Sequence, residues 1–128
     1  MWQARGADFL AACESALWSE AGTLAREWLH ERGLHDDTLH EWRIGYHAAE
    51  GREPRTSWGL AGSGAVALPR GIVVPWLDED GAVWGLKVRR RSADVDAGRP
   101  KYHAVAGSVL ELLYGHHTVR SHLPGVLL

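Results

Sequence analysis

The sequence predicts an α+β fold, with an N-terminal helical cap packed on a small, mainly antiparallel sheet. Two patterns carry this expectation. Apolar residues recur at helical spacing over roughly residues 4–43, and two strand-like runs flank the turn signal DEDG at residues 78–81. At 128 residues, with 45% hydrophobic and 23% charged positions, the chain has the length and balance of one domain with an ordinary core. The helical part is expected over about 4–43 and the sheet part over about 65–128.

Phe9, Leu10, Cys13 and Leu17 share one helical face, and Leu24, Ala25, Trp28 and Leu29 repeat the pattern in a second helix. Gly33 supplies a stop, after which Asp36 or Asp37 is placed to accept from free amides and start a third helix with Leu39 and Trp42. Trp18, Trp28 and Trp42 fit this stripe as packing residues. Residues 48–71 are rich in Gly, Pro, Ser and Arg, which predicts a long loop with one short strand over Ala65 to Leu68. The glycines of GLAGSGAV lack the spacing of a phosphate-binding loop.

IVVPWL (72–77) and AVWGLKVRRR (82–91) then form a hairpin whose turn needs Gly81 at positive φ. Period-two alternation puts Trp84, Leu86 and Val88 on one face and Lys87, Arg89 and Arg91 on the other. Neighbouring bases on such a face stand about 7 Å apart. That ladder suits a phosphate chain or a set of carboxylates, and it equally suits an edge strand kept soluble by charge. After the loop SADVDAG, Pro100 biases Arg99 toward an extended conformation and KYHAV begins another strand. Lys101 beside Tyr102 offers a charge for a phosphate and a ring for a base. The same pair also fits a core tyrosine next to a solvated lysine, with the balance toward packing.

The net charge of −2 hides an asymmetry: residues 1–50 hold nine acids and four bases, whereas residues 51–128 hold seven acids and ten bases. An anionic partner is sought in the second part. The single cysteine, Cys13, is expected to be a buried small hydrophobe, and the eight histidines show no metal-ligand spacing. No apolar run has the length of a membrane helix and no secretory signal opens the chain, so a cytoplasmic setting without a membrane partner is expected.

In order, WLHERGL, TLHEWRIGY, GIVVPWLDEDGAVWGLKVRRR, RPKYHAVAGS and LLYG make a set of short motifs. Together, from about Leu24 to Leu128, they resemble the N-terminal part of the catalytic core of bacterial DNA primases, most nearly the phage and plasmid branch. The resemblance implies a subdomain that binds template and primer–template hybrid in an enzyme that synthesises RNA primers on single-stranded DNA. Carried over by position, it implies nucleic-acid contacts at Arg89 and at Pro100-Lys101-Tyr102; with the basic ladder and its neighbours the expected contact set is Lys87, Arg89, Arg90, Arg91, Arg99, Lys101 and Tyr102, with no catalytic or metal-binding residue. The nucleotidyltransferase chemistry, with its Mg²⁺, belongs in that family to the adjoining toprim domain, and a helicase is a further partner of the full-length protein.

Two departures stand out. His103, Ala104 and Val105 follow Pro-Lys-Tyr where cellular primases have Leu-Asn-Ser. LPGVLL resembles the first toprim strand and ends before the family's catalytic acid, so the isolated chain is expected to be inactive. Asp78, Glu79 and Asp80 read as turn residues rather than a metal site, and the zinc ribbon that precedes the core in full-length relatives has no motif here. The alternative reading is a protein-interaction module whose basic hairpin face pairs with acidic surfaces, including Asp36, Asp37 or Glu41 of its own helices.

Overall fold

A computed structural model describes residues 1–110; LLYG and LPGVLL lie outside the described residues. Its elements run α1 (Trp2–Leu17), α2 (Thr23–Glu31), α3 (Asp36–Glu41), β1 (Gly45–His47), β2 (Gly51–Pro54), β3 (Ala65–Leu68), β4 (Gly71–Leu77), β5 (Val83–Arg90), α4 (Ser92–Asp96) and β6 (Tyr102–Ala104). One antiparallel sheet has the strand order β1-β4-β5-β6, and β2 with β3 forms a second pair. The chain is α+β, as expected.

Strand β4 explains the architecture, because it sits inside the main sheet and both of its faces are covered. Val73 and Leu77 pack with Phe9, Leu10 and Cys13 of α1 and with Leu86 and Val88. Ile72 and Val74 pack on the other side with Leu29 of α2, Leu39 of α3, and Leu34 and Trp42 beside those helices. A strand buried on two faces is continuously apolar, which is why the run reads IVVPWL rather than alternating. Cys13 lies in the first core, and burial pushes its thiol up to about 12.

The helical stripes are as expected with two exceptions. Leu24 was expected on the apolar face of α2 but is 78% exposed, because Ala25 and Leu29 are the residues that reach the core. Asp36 and Asp37 do not cap α3. His35 holds the cap position, and both aspartates lie in the first turn, where the helix dipole favours them. Asp36 also meets His30 Nε2 at 2.6 Å. Gly33 does end the α2 segment, at φ 84°.

Residues 48–71 are more ordered than a long loop. Strand β3 covers the expected Ala65–Leu68, but β2 pairs with it, Arg52 facing Ala67 and Glu53 facing Val66. GREP has little strand propensity of its own. It is held by Glu53, whose carboxylate accepts from Arg5 Nε (2.9 Å), Arg5 Nη2 (2.5 Å) and Trp58 Nε1 (2.9 Å), tying α1 to β2. The segment SADVDAG is likewise the short helix α4 rather than a loop.

The β4–β5 hairpin forms as expected, with Gly81 at φ 84°. Its alternation breaks once: Trp76 pairs with Gly85 but Leu77 pairs with Val83, so Trp84 is an extra residue. Val83 therefore takes the core position assigned to Trp84, and Trp84 turns its indole N–H to Asp78 Oδ2 at 2.9 Å.

Two predictions follow from these contacts. A Cβ on Gly45 would stand 2.7 Å from Cys13 Cβ and 2.8 Å from its carbonyl carbon, so Gly45→Ala is expected to push α1 off β1. The loss should be about 1–3 kcal/mol in urea unfolding. The Arg5 hydrogen bonds, and less so the Arg5 charge and Trp58, hold the Glu53 carboxyl below its ordinary 4.5 against the opposing effect of burial. A depressed carboxyl stabilises the fold fully above the unfolded value and loses that contribution as pH falls through the folded one. The urea midpoint is therefore expected to drop as pH falls below about 4.5, and to drop less in Glu53→Gln.

Candidate nucleic-acid interface

Cross-strand partners share a face, so Lys87 lies beside Val74 and Arg89 beside Ile72, on the side of the sheet that α2 and α3 pack against. Beyond those helices the covering stops and β6 extends the same face, placing Tyr102 next to Arg89 and the exposed Ala104 next to Lys87. The result is a set of cations held against rings. Arg89 Cζ lies 4.4 Å from the Trp28 centroid and 6.0 Å from that of Tyr102. Lys87 Nζ stands 5.7 Å from Trp76 and 5.6 Å from Tyr102, and Lys101 Nζ is 5.8 Å from Tyr102. Arg32 lies 3.4 Å over Trp28 at the helical end.

None of Lys87, Arg89 and Lys101 forms an ion pair among the described residues. Arg89 Nε and the Tyr102 hydroxyl are buried with no hydrogen-bond partner among them. The acids named by the alternative reading are elsewhere: Asp36 pairs with His30, and neither Asp37 nor Glu41 pairs with Arg89 or Arg91. Cations that keep their charge beside half-buried rings, Lys101 exposed and Lys87 and Arg89 partly so, can neutralise phosphates and stack bases.

Of the seven expected contact residues, the structure gathers Lys87, Arg89, Lys101 and Tyr102. Tyr102 belongs to neither core cluster and its hydroxyl is buried, so its half-buried ring both packs and shares the face of Arg89 through the pairing of β6. Arg90 points the other way and is 8% exposed. Its Nη1 donates to Pro100 O (2.8 Å) and its amide to Lys101 O (2.8 Å), so it braces the Pro-Lys-Tyr segment from behind. Arg91 does not continue the ladder, because the strand ends at Arg90 and Arg91 caps α4, its Nε 3.3 Å from Asp94. Arg99 pairs with Glu50 at 3.1 Å. Trp28 and Trp76 were missed as parts of this face. Their apolar spacing matched packing residues, and only their positions beside β5 distinguish them.

The departure at His103-Ala104-Val105 falls mostly on the inner face. Val105 is in the core, and burial, then the Arg90 charge, lower the pKa of His103 below its ordinary value. Gly107 and Ser108 have backbone roles. Gly107 sits at φ 87° against the Trp2 indole, and Ser108 Oγ both accepts from Leu86 N (3.1 Å) and donates to Leu86 O (3.3 Å), extending the β5 edge past β6. Asp78 is a turn residue: Oδ1 accepts from Asp80 N (2.9 Å) and Ala82 N (3.0 Å), and Oδ2 from Trp84. The Trp84 bond first, and the turn amides after it, lower its pKa.

No family model and no curated protein matches the chain. Solved structures do. The structure of the DnaG catalytic core superposes with a TM-score of 0.65 at 20% identity, over 86% of this chain and 39% of that one. The RNA polymerase domain of Mycobacterium tuberculosis primase DnaG gives 0.64 at 24% identity, over 85% and 40%. A DnaG primase catalytic domain bound to single-stranded DNA gives 0.64 at 18% identity, over 85% and 38%. The chain has the fold of a segment of the DnaG primase catalytic core. It spans about two fifths of the length of these cores.

Ser108→Ala removes both bonds to Leu86 and leaves a part-buried amide without its acceptor. The expected cost is about 1–3 kcal/mol in denaturant unfolding.

Proposed function

We propose that this chain is the template-binding subdomain of a DNA primase, holding single-stranded DNA and the RNA–DNA hybrid while an adjoining toprim domain carries out phosphoryl transfer. The observation that carries the reading is the basic-aromatic face of Lys87, Arg89, Lys101 and Tyr102, free of carboxylate partners among the described residues, on a fold shared with DnaG cores. Similar structures include a DnaG catalytic domain bound to single-stranded DNA and a Mycobacterium tuberculosis DnaG domain in complex with double-stranded DNA. The same class of ligand is assigned here to this face.

Lysine and arginine along the face neutralise phosphates and release counterions, so affinity is expected to depend on salt and little on base sequence. Tyr102 adds a ring on which any base stacks. Mg²⁺ belongs in this reading to the toprim domain. The described residues do not fit it: no group of three His, Cys, Asp or Glu side chains among them is arranged to hold an ion, and the Asp78 oxygens are taken by turn amides and an indole. These residues bind and orient the strand, and no chemical step is assigned to them. Kinship with the phage and plasmid branch and a helicase partner belong to the same reading.

Arg89→Ala and Lys101→Ala are each expected to weaken binding of a single-stranded oligonucleotide and to reduce the slope of log K against log salt by about 0.7. Fluorescence anisotropy over a salt titration reads both effects. Parental affinity in both variants at every salt concentration would sink the reading.

A further inference from the structure

A cleft of about 210 Å³ opens between α2 and the chain ends of β4 and β5. Its walls are apolar, from Ala21, Leu24 and Trp28 on one side and Ile72 on the other, and Arg89 and Arg91 stand at it. Leu24 is one of two large apolar side chains left strongly exposed among the described residues, and it lies on this wall. No carboxylate lines the cleft. Asp94 nearby is shared between Arg70 and Arg91, so one positive charge remains in excess there. Arg89 Nε, on a lining residue, is buried without an acceptor among the described residues.

Size and charge restrict the occupant. Pockets for drug-sized ligands span roughly 300–1,000 Å³, so this cleft accommodates one ring system and not a larger molecule. The arginines ask for an anion attached to that ring, and a guanidinium plane is a surface on which unstacked bases lie. Arg89 belongs both to the cleft and to the basic-aromatic face, so the two are continuous.

We infer that the cleft receives a single unstacked nucleobase of the bound strand, with the adjoining phosphate on Arg89 and Arg91. This rests on the template-binding reading and adds to it a point that fixes the position of an otherwise sequence-indifferent strand. The base is held by Leu24, Ala21 and the Arg89 plane, and the backbone continues past Tyr102 toward Lys87 and Lys101.

The test compares the affinity of the full chain for oligothymidylate with that for an abasic oligonucleotide of equal length. Ala21→Trp fills the cleft and Leu24→Ser removes its wall; both positions are exposed, so neither substitution disturbs the core. Each variant is expected to reduce the parental preference for bases by roughly tenfold, the order that one stacked base contributes. An unchanged preference in both variants, with the parent binding oligonucleotides, overturns the cleft and leaves the template reading standing. A parent that binds neither oligonucleotide overturns both. Thymidine monophosphate binding as tightly as the oligonucleotide, and losing that affinity in Ala21→Trp, overturns the strand as source and assigns the cleft to a free nucleotide.

Discussion

The antiparallel pairing of β4 with β5 is the constraint on which the rest of the structure depends. It runs from Gly71 opposite Arg90 to Leu77 opposite Val83 and brings two cores against the same pair of strands. Alternation along β5 then separates function from stability. Leu86 and Val88 go to the α1 side, and Lys87 and Arg89 emerge on the side where helical cover runs out. A one-residue slip would exchange the two sets, burying both cations. The bulge at Trp84 lies near the turn, so it moves Val83 and Trp84 without disturbing the register at Lys87 and Arg89.

How those cations are held matters as much as where they stand. Three bases on one small face repel one another, and carboxylates would relieve that at the cost of the charge a nucleic acid needs. Rings relieve it differently. Cation–π contacts contribute about 0.5–1 kcal/mol at exposed sites and leave the charge in place. Trp28, Trp76 and Tyr102 therefore position Arg89, Lys87 and Lys101 without neutralising them. The buried Arg89 Nε, without a partner among the described residues, fits a face whose acceptors come from a ligand.

Two acids of the N-terminal part are spent locally. Glu14 meets Arg43 at 2.9 Å and Asp36 meets His30, so these carboxylates brace the helical cap. Arg70 and Arg91 share Asp94, and Arg99 takes Glu50. Internal pairing thus takes up Arg99, leaves Arg70 and Arg91 with one carboxylate between them, and spares the central bases. The charge asymmetry of the sequence survives folding as a local surplus on one face of the sheet.

Local pattern alone determined the helical cap, the β4–β5 hairpin with its Gly81 turn, the burial of Cys13, and the separation of Lys87 and Arg89 from Leu86 and Val88. Each of these follows from spacing or from one residue's backbone freedom, which a linear pattern records. Only the tertiary structure decided which of the basic residues stay unpaired, because Asp94 reaches Arg70 and Glu50 reaches Arg99 through folding and not through sequence order. It also decided that β2 exists, since GREP becomes a strand only beside β3 and under Arg5. Trp28 was the hardest to read: its spacing is that of a packing residue, and its place over Arg89 depends on how α2 lies across the sheet. The side on which Tyr102 lies was decided in the same way, since the face of β6 is set by pairing with Arg89 and by nothing in its own segment.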